Sequence, residues 1–260
     1  RPKPPVPEVD PAARNRAGVY FIRKDDTPQC WVVMGFLSGK RNDPDYYALE
    51  VMDQVLGGGF ASRLFANVRS AQGLAYTVGS QWGAGWDRPG TFRALGSTKT
   101  ESTMKILTSI RYEISAMAEA GATAEELTRA KDGILKGFAF EFDSTSKIVQ
   151  RLVSYEYYGY PRDYLQRYRA NIEKVTREDV ARVAKQYLKT DQLAILVVGK
   201  EQGMDEPLSK LGPVTTIDVT IPAPKQAEPG AATPETTARA KALLAKARQA
   251  MGGAAFDRVK

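Results

Sequence analysis

The chain has 260 residues, a hydrophobic fraction of 43% and a formal net charge of +7. That length allows one large domain or two smaller ones with a real core, and no apolar run is long enough to span a bilayer. The chain has one cysteine and no histidine. This excludes an internal disulfide, a thiolate metal cluster, Ser-His-Asp or Cys-His catalysis and the histidine ligands of a catalytic zinc.

Residues 1–16, opening RPKPPVPEVDP, are proline-rich and polar and are expected to form a linker cut from a longer protein. No signal peptide is visible in that opening. Residues 17–24 (AGVYFIRK) and 27–39 (TPQCWVVMGFLSG) read as strands, the second apolar enough to be buried on both faces, with Cys30 as a small buried residue. DPDYYALEVMDQVLGG reads as a helix. Asp43 or Asp45 is placed to cap it, Tyr46, Leu49, Met52 and Leu56 recur at helical spacing, and Gly57 ends it.

SRLFANVRS is a short helix opened by Ser62, with Leu64, Phe65 and Val68 on one face. Residues 74–82 (LAYTVGSQW) form a strand in which Leu74, Tyr76, Val78, Ser80 and Trp82 share a face. Residues 91–99 form another strand. Helical patterns follow at 102–121, at AEELTRAKDGILKGFAFEF behind a Thr123/Glu126 capping box, at about 145–158, after Pro161, and after Thr176. Residues 192–200 (QLAILVVGK) are the last buried strand.

Two adjacent strand pairs flank a helix, which favours antiparallel or mixed pairing over a doubly wound sheet. The expected fold is α+β, with an antiparallel or mixed sheet covered by helices on one face. The main domain is expected over 17–221, a Pro/Ala-rich linker over 222–235, and over 236–260 an amphipathic helix, either a solvated tail or the start of a truncated further domain.

Several chemical motifs fail on spacing. GGGF lacks the lysine of a phosphate-binding P-loop, and no GxGxxG follows a strand. The pairs Glu125/Glu126 and Glu141/Asp143 sit at helix ends, where helix polarity explains the first. Tyr155, Tyr157, Tyr158, Tyr160, Tyr164 and Tyr168 are dense and lie near Arg151, Arg162, Arg167 and Arg169. They read as helix-packing tyrosines, with a basic nucleic-acid-binding module as the lesser alternative. The charge itself forms no block and reads as a solvated surface.

Arg69 and Tyr76 are the remaining pair. Either Tyr76 is a core tyrosine and Arg69 a surface ion-pair partner, or both point at one spot as donors to a substrate carbonyl and the oxyanion formed on attack. Their context bears on the choice. The string SRLFANVRSAQGLAYTV resembles the C-terminal, non-catalytic half of the pitrilysin/insulinase family of zinc peptidases, the inverzincins. The resemblance runs through residues 18–200, including ALEVMDQVLGGGFASRLFANVR, ATAEELTRAKDGILKGF, YYGYPRDY and VTREDVARVAKQYL. It is also similar to mitochondrial processing peptidase-like subunits.

The resemblance implies one half of a clamshell. The other half, in the same polypeptide or a partner subunit, carries H-x-x-E-H and the zinc; this chain holds no metal or cofactor of its own. Arg69 and Tyr76 then act on a peptide substrate, with Gly57, Gly58 and Gly59 as a substrate-binding or hinge turn. A catalytically silent scaffold of the same fold is the alternative. No nucleic-acid partner and no membrane span are implied, and the compartment stays open between bacterial periplasm and cytoplasm.

Overall fold

A computed structural model describes residues 16–221 and 233–253, apart from the side chains of Ala139 and Glu141. The chain divides into two compact units, Arg1–Asp218 and Val219–Lys260. The linkers expected at 1–16 and 222–235 lie almost wholly outside the described residues.

The first unit runs β1 (Gly18–Arg23), β2 (Gln29–Leu37), α1 (Tyr46–Leu56), a π-helical segment (Leu64–Ala71), β3 (Thr77–Gly83), β4 (Thr91–Lys99), α2 (Thr103–Ala120), α3 (Ala124–Ala139), α4 (Thr145–Tyr158), α5 (Tyr164–Lys174), α6 (Arg177–Tyr187), β5 (Ala194–Gly199) and β6 (Val214–Thr216). The strands form one sheet in the order β3-β4-β2-β5-β1-β6. Pairings β3–β4, β4–β2 and β2–β5 are antiparallel, whereas β5–β1 and β1–β6 are parallel. This is the expected mixed α+β architecture.

Strand alternation decides which face is covered. Val19 and Phe21, Val32 and Met34, Phe92 and Ala94, and Ile195 and Val197 are buried in one core with the residues of α1 and α2. The opposite face carries Tyr20, Val33 and Leu196 beside a shallow apolar groove of about 560 Å³. β2 is therefore not buried on both faces, as its composition predicts: Cys30, Val32 and Met34 are enclosed, while Trp31 is 48% exposed. An uninterrupted apolar run looks the same for a two-sided strand and for one whose outer face is apolar but open.

β6 escapes the sequence pattern. Its three residues are too few to show a period, and it forms by pairing Val214–Thr216 with Val19–Phe21.

Tyr46, Leu49, Met52 and Leu56 of α1 are buried as their spacing predicts. Neither proposed aspartate caps this helix. Asp45 accepts hydrogen bonds from Arg182 Nη2 at 2.7 Å and the Tyr187 hydroxyl at 2.9 Å, and Asp43 accepts from the Lys40 amide at 2.6 Å. Tertiary donors outcompete the local amides. Thr123/Glu126 does form the expected capping box on α3, and Thr176/Asp179 forms another on α6.

Tyr155, Tyr164 and Tyr168 are buried. Tyr155 and Tyr160 both approach Tyr164, at 4.8 and 4.6 Å between ring centroids, and join α4 to α5. In the second unit, α7 (Pro234–Ala250) starts at a Thr233 capping box and exposes Leu243 and Leu244. No helix among the described residues is long and apolar enough to cross a membrane.

Candidate functional site

The site is built on residues 57–78, between the end of α1 and the start of β3. Gly57 follows α1, donates its amide to the Asp53 carbonyl at 2.8 Å, and accepts from the Ser80 amide at 3.1 Å. A Cβ on Gly57 would lie 2.2 Å from the Ser80 nitrogen. The glycine is thus required by a close approach of helix end to strand. Gly58 is exposed and Gly59 half-buried.

Beneath this junction, the buried Asp53 accepts from the Ser80 hydroxyl at 2.6 Å. Burial pushes its carboxyl from 3.8 up to about 6, against the opposing Ser80 and Trp82 hydrogen bonds. The folded protein then keeps a proton that the unfolded chain loses near pH 4. Stability from this group is full below that pH and falls as pH rises through about 6, by on the order of 3 kcal/mol. Asp53→Asn should flatten this part of the melting temperature against pH profile.

The next segment is fixed at both ends. Arg63 donates to both carboxylate oxygens of Glu126, at 2.7 and 2.8 Å, and to the Gly121 carbonyl at 2.7 Å. This pairing holds the Glu126 carboxyl down at about 2, although burial acts the other way. Leu64 and Val68 are fully buried and Phe65 partly so. Asn67 donates to Glu113 at 2.9 Å and Ser109 donates to Gln72 at 2.7 Å, tying the segment to α2. The expected short helix is a π-helix, a wider coil often found at functional sites.

Arg69 lies in its last turn and is exposed. Gly73 then turns the chain at φ +64°. The Leu74 carbonyl accepts from the buried Thr98 hydroxyl at 2.6 Å, and the Tyr76 amide donates to the Ser97 carbonyl at 2.9 Å. The β3–β4 ladder begins only at Thr77↔Ser97. Tyr76 therefore precedes the strand instead of lying in it. It is 69% exposed, whereas Leu74, Val78 and Trp82 pack against the core, so Tyr76 alone leaves the expected common face of 74–82.

These positions differ from the alternative in which Tyr76 is a core tyrosine and Arg69 a surface ion-pair partner. Tyr76 is no core residue. Arg69 makes no ion pair among the described residues; its guanidinium lies 4.9 Å from the Phe65 ring. Neither the guanidinium nor the Tyr76 hydroxyl hydrogen-bonds another side chain among those residues. Arg69 and Tyr76 flank a turn whose backbone is pinned at Leu74 and Tyr76.

Phe60 was not singled out by the sequence. It is 82% exposed and meets Phe65 edge-on at 5.1 Å, so Phe60, Phe65 and Arg69 form a continuous surface. Phe65 lies four residues before Arg69, at helical spacing, but Phe60 precedes the helix and has no such spacing to mark it. The Arg63–Glu126 pair had no local signal, its partners being 63 residues apart.

No group of three or more His, Cys, Asp or Glu side chains among the described residues is arranged to hold a metal ion. With no histidine in the chain, the residues present do not suit a catalytic zinc.

Residues 1–134 match the family model of the peptidase M16 inactive domain. The chain is 28% identical over 186 residues to an uncharacterized zinc protease of Streptomyces coelicolor, covering 72% of this chain and 40% of that protein. It is 27% identical over 180 residues to a non-peptidase homolog from Helicobacter pylori, covering 68% of this chain and 41% of the relative. It thus spans well under half of each of these relatives. A crystal structure of a peptidase M16 inactive domain from Pseudomonas fluorescens superposes with a TM-score of 0.69 and 27% identity, over 78% of this chain and 48% of that one. By the match of residues 1–134, more than half of its length, the chain belongs to the M16 peptidase family as its inactive domain.

Proposed function

We propose that this chain is the substrate-binding half of a zinc metalloendopeptidase and supplies Arg69 and Tyr76 to a peptide held against an H-x-x-E-H half. The reading rests on one observation: two donors are exposed and unpaired at either end of a pinned turn. The zinc of the catalytic half supplies the activated water. The Tyr76 hydroxyl donates a hydrogen bond to the oxygen on which negative charge develops. Arg69, held over Phe65, binds a neighbouring peptide carbonyl and offsets part of that charge. Gly58 and Gly59 leave the adjoining surface without side chains, so a peptide backbone can approach; Gly57 is already committed to β3.

The test is reconstitution. An H-x-x-E-H half alone should cleave a quenched peptide poorly, and adding this chain should raise kcat/KM by on the order of 100-fold. Equal cleavage without the chain would favour the scaffold reading, for which the non-peptidase relative is a precedent.

A further inference from the structure

α7 belongs to the second unit, and every residue from Pro234 to Ala250 is exposed. Ala240, Leu243, Leu244 and Ala247, with Met251 just past the last turn, recur at helical spacing and share one face. Leu243, Leu244 and Met251 are 71%, 70% and 56% exposed. The opposite face carries no large apolar side chain, only Ala238, Ala242, Ala245 and Gln249.

The charges border the apolar face. At 3.6 residues per turn, Arg239 and Lys246 fall along one side of it and Lys241 and Arg248 along the other. The one carboxylate of the helix is Glu235, in the first turn, where it suits helix polarity. Lys241 and Lys246 have no acidic residue three or four positions away on either side. An apolar face set between two rows of cations attracts an anionic surface. Like charge opposes a second copy, since two such helices packed face to face would bring their cation rows together. Ala240 and Ala247 offer no bulky anchors to a protein groove. A lipid interface needs none: it takes in shallow apolar side chains while the Lys and Arg stems reach up to the headgroups.

We propose that α7 docks on an anionic lipid surface, lying flat in the headgroup layer with Leu243, Leu244 and Met251 turned inward. Its 17 residues make a rod about 25 Å long with cations through its middle, which suits the plane of the interface and not a crossing of the bilayer. The helix would hold the chain at a membrane surface, whatever the first unit does there.

The test reads vesicle binding, not cleavage, so it is independent of the peptidase reading. The whole chain would be sedimented with phosphatidylcholine vesicles, with and without an equal part of phosphatidylglycerol. It should pellet with the anionic vesicles only and be released by salt. The chain carries +7 overall, so variants must separate α7 from the rest of the surface. Leu243→Ser with Leu244→Ser keeps every charge and should weaken binding roughly tenfold or more. Lys241→Gln with Lys246→Gln should weaken it by a similar factor. Lys105→Gln with Arg111→Gln removes the same charge from exposed positions of α2 and should change binding by no more than about twofold. Circular dichroism spectra should match the wild type throughout. Equal binding by the leucine variant and the wild type would overturn the proposal, leaving only the general attraction of a basic chain. Equal losses from the α2 and α7 cation pairs would do the same. Binding to a hexaglutamate peptide without binding to vesicles would overturn it too, and would assign the face to an acidic protein.

Discussion

Tyr76→Phe is expected to lower the kcat of the reconstituted peptidase about 100-fold while leaving KM within roughly twofold. The substitution removes one oxygen and keeps the ring. Because Tyr76 is 69% exposed and its hydroxyl has no partner among the described residues, nothing in the fold depends on that oxygen. The melting temperature should not move. A hydroxyl that only packed or bound ground-state peptide would shift KM or nothing; one that meets charge only in the transition state shifts kcat. Arg69→Lys separates the partner role: it keeps the charge but loses the planar fork lying over Phe65, and should raise KM more than it lowers kcat. Full activity in Tyr76→Phe would make the pair decorative and favour a scaffold.

Much of this site is legible in the residues because it is local. Arg69 and Tyr76 fall within one helix–turn–strand string, and the turn residue Gly73 marks where the chain reverses. Exposure is not legible. Tyr76 sits in perfect alternation with Val78 and Trp82, and only the ladder's start at Thr77↔Ser97 takes it out of the strand. The same limit hides β6, which exists only because β1 offers it an edge, and the open face of β2. Capping boxes were readable because partner and cap lie three residues apart. The Asp45 pairs with Arg182 and Tyr187 were not, since no short window contains both sides.

Gly57→Ala is expected to destabilise the fold by about 3 kcal/mol, a large loss for one methyl group. The added Cβ would sit 2.2 Å from the Ser80 nitrogen, 2.5 Å from its hydroxyl and 2.8 Å from the Gly79 carbonyl carbon. Most of these are backbone atoms of β3 and cannot swing aside. To admit the methyl group, the end of α1 must leave the strand. That breaks the Ser80 amide bond to the Gly57 carbonyl and pulls the Ser80 hydroxyl from Asp53, leaving a buried carboxyl without its side-chain donor. Gly59→Ala is the control. Its nearest neighbour would be the tip of the Gln54 side chain at 3.2 Å, which is free to move, so the cost should stay within about 0.5 kcal/mol. Urea unfolding of both variants, read beside their cleavage rates, divides the glycine run by function. If Gly57→Ala lost stability and Gly59→Ala lost only activity, the first glycine would serve packing and the later one the peptide. If Gly57→Ala unfolded like wild type, the close contact with β3 would not be needed, and the run would be free to act as a hinge.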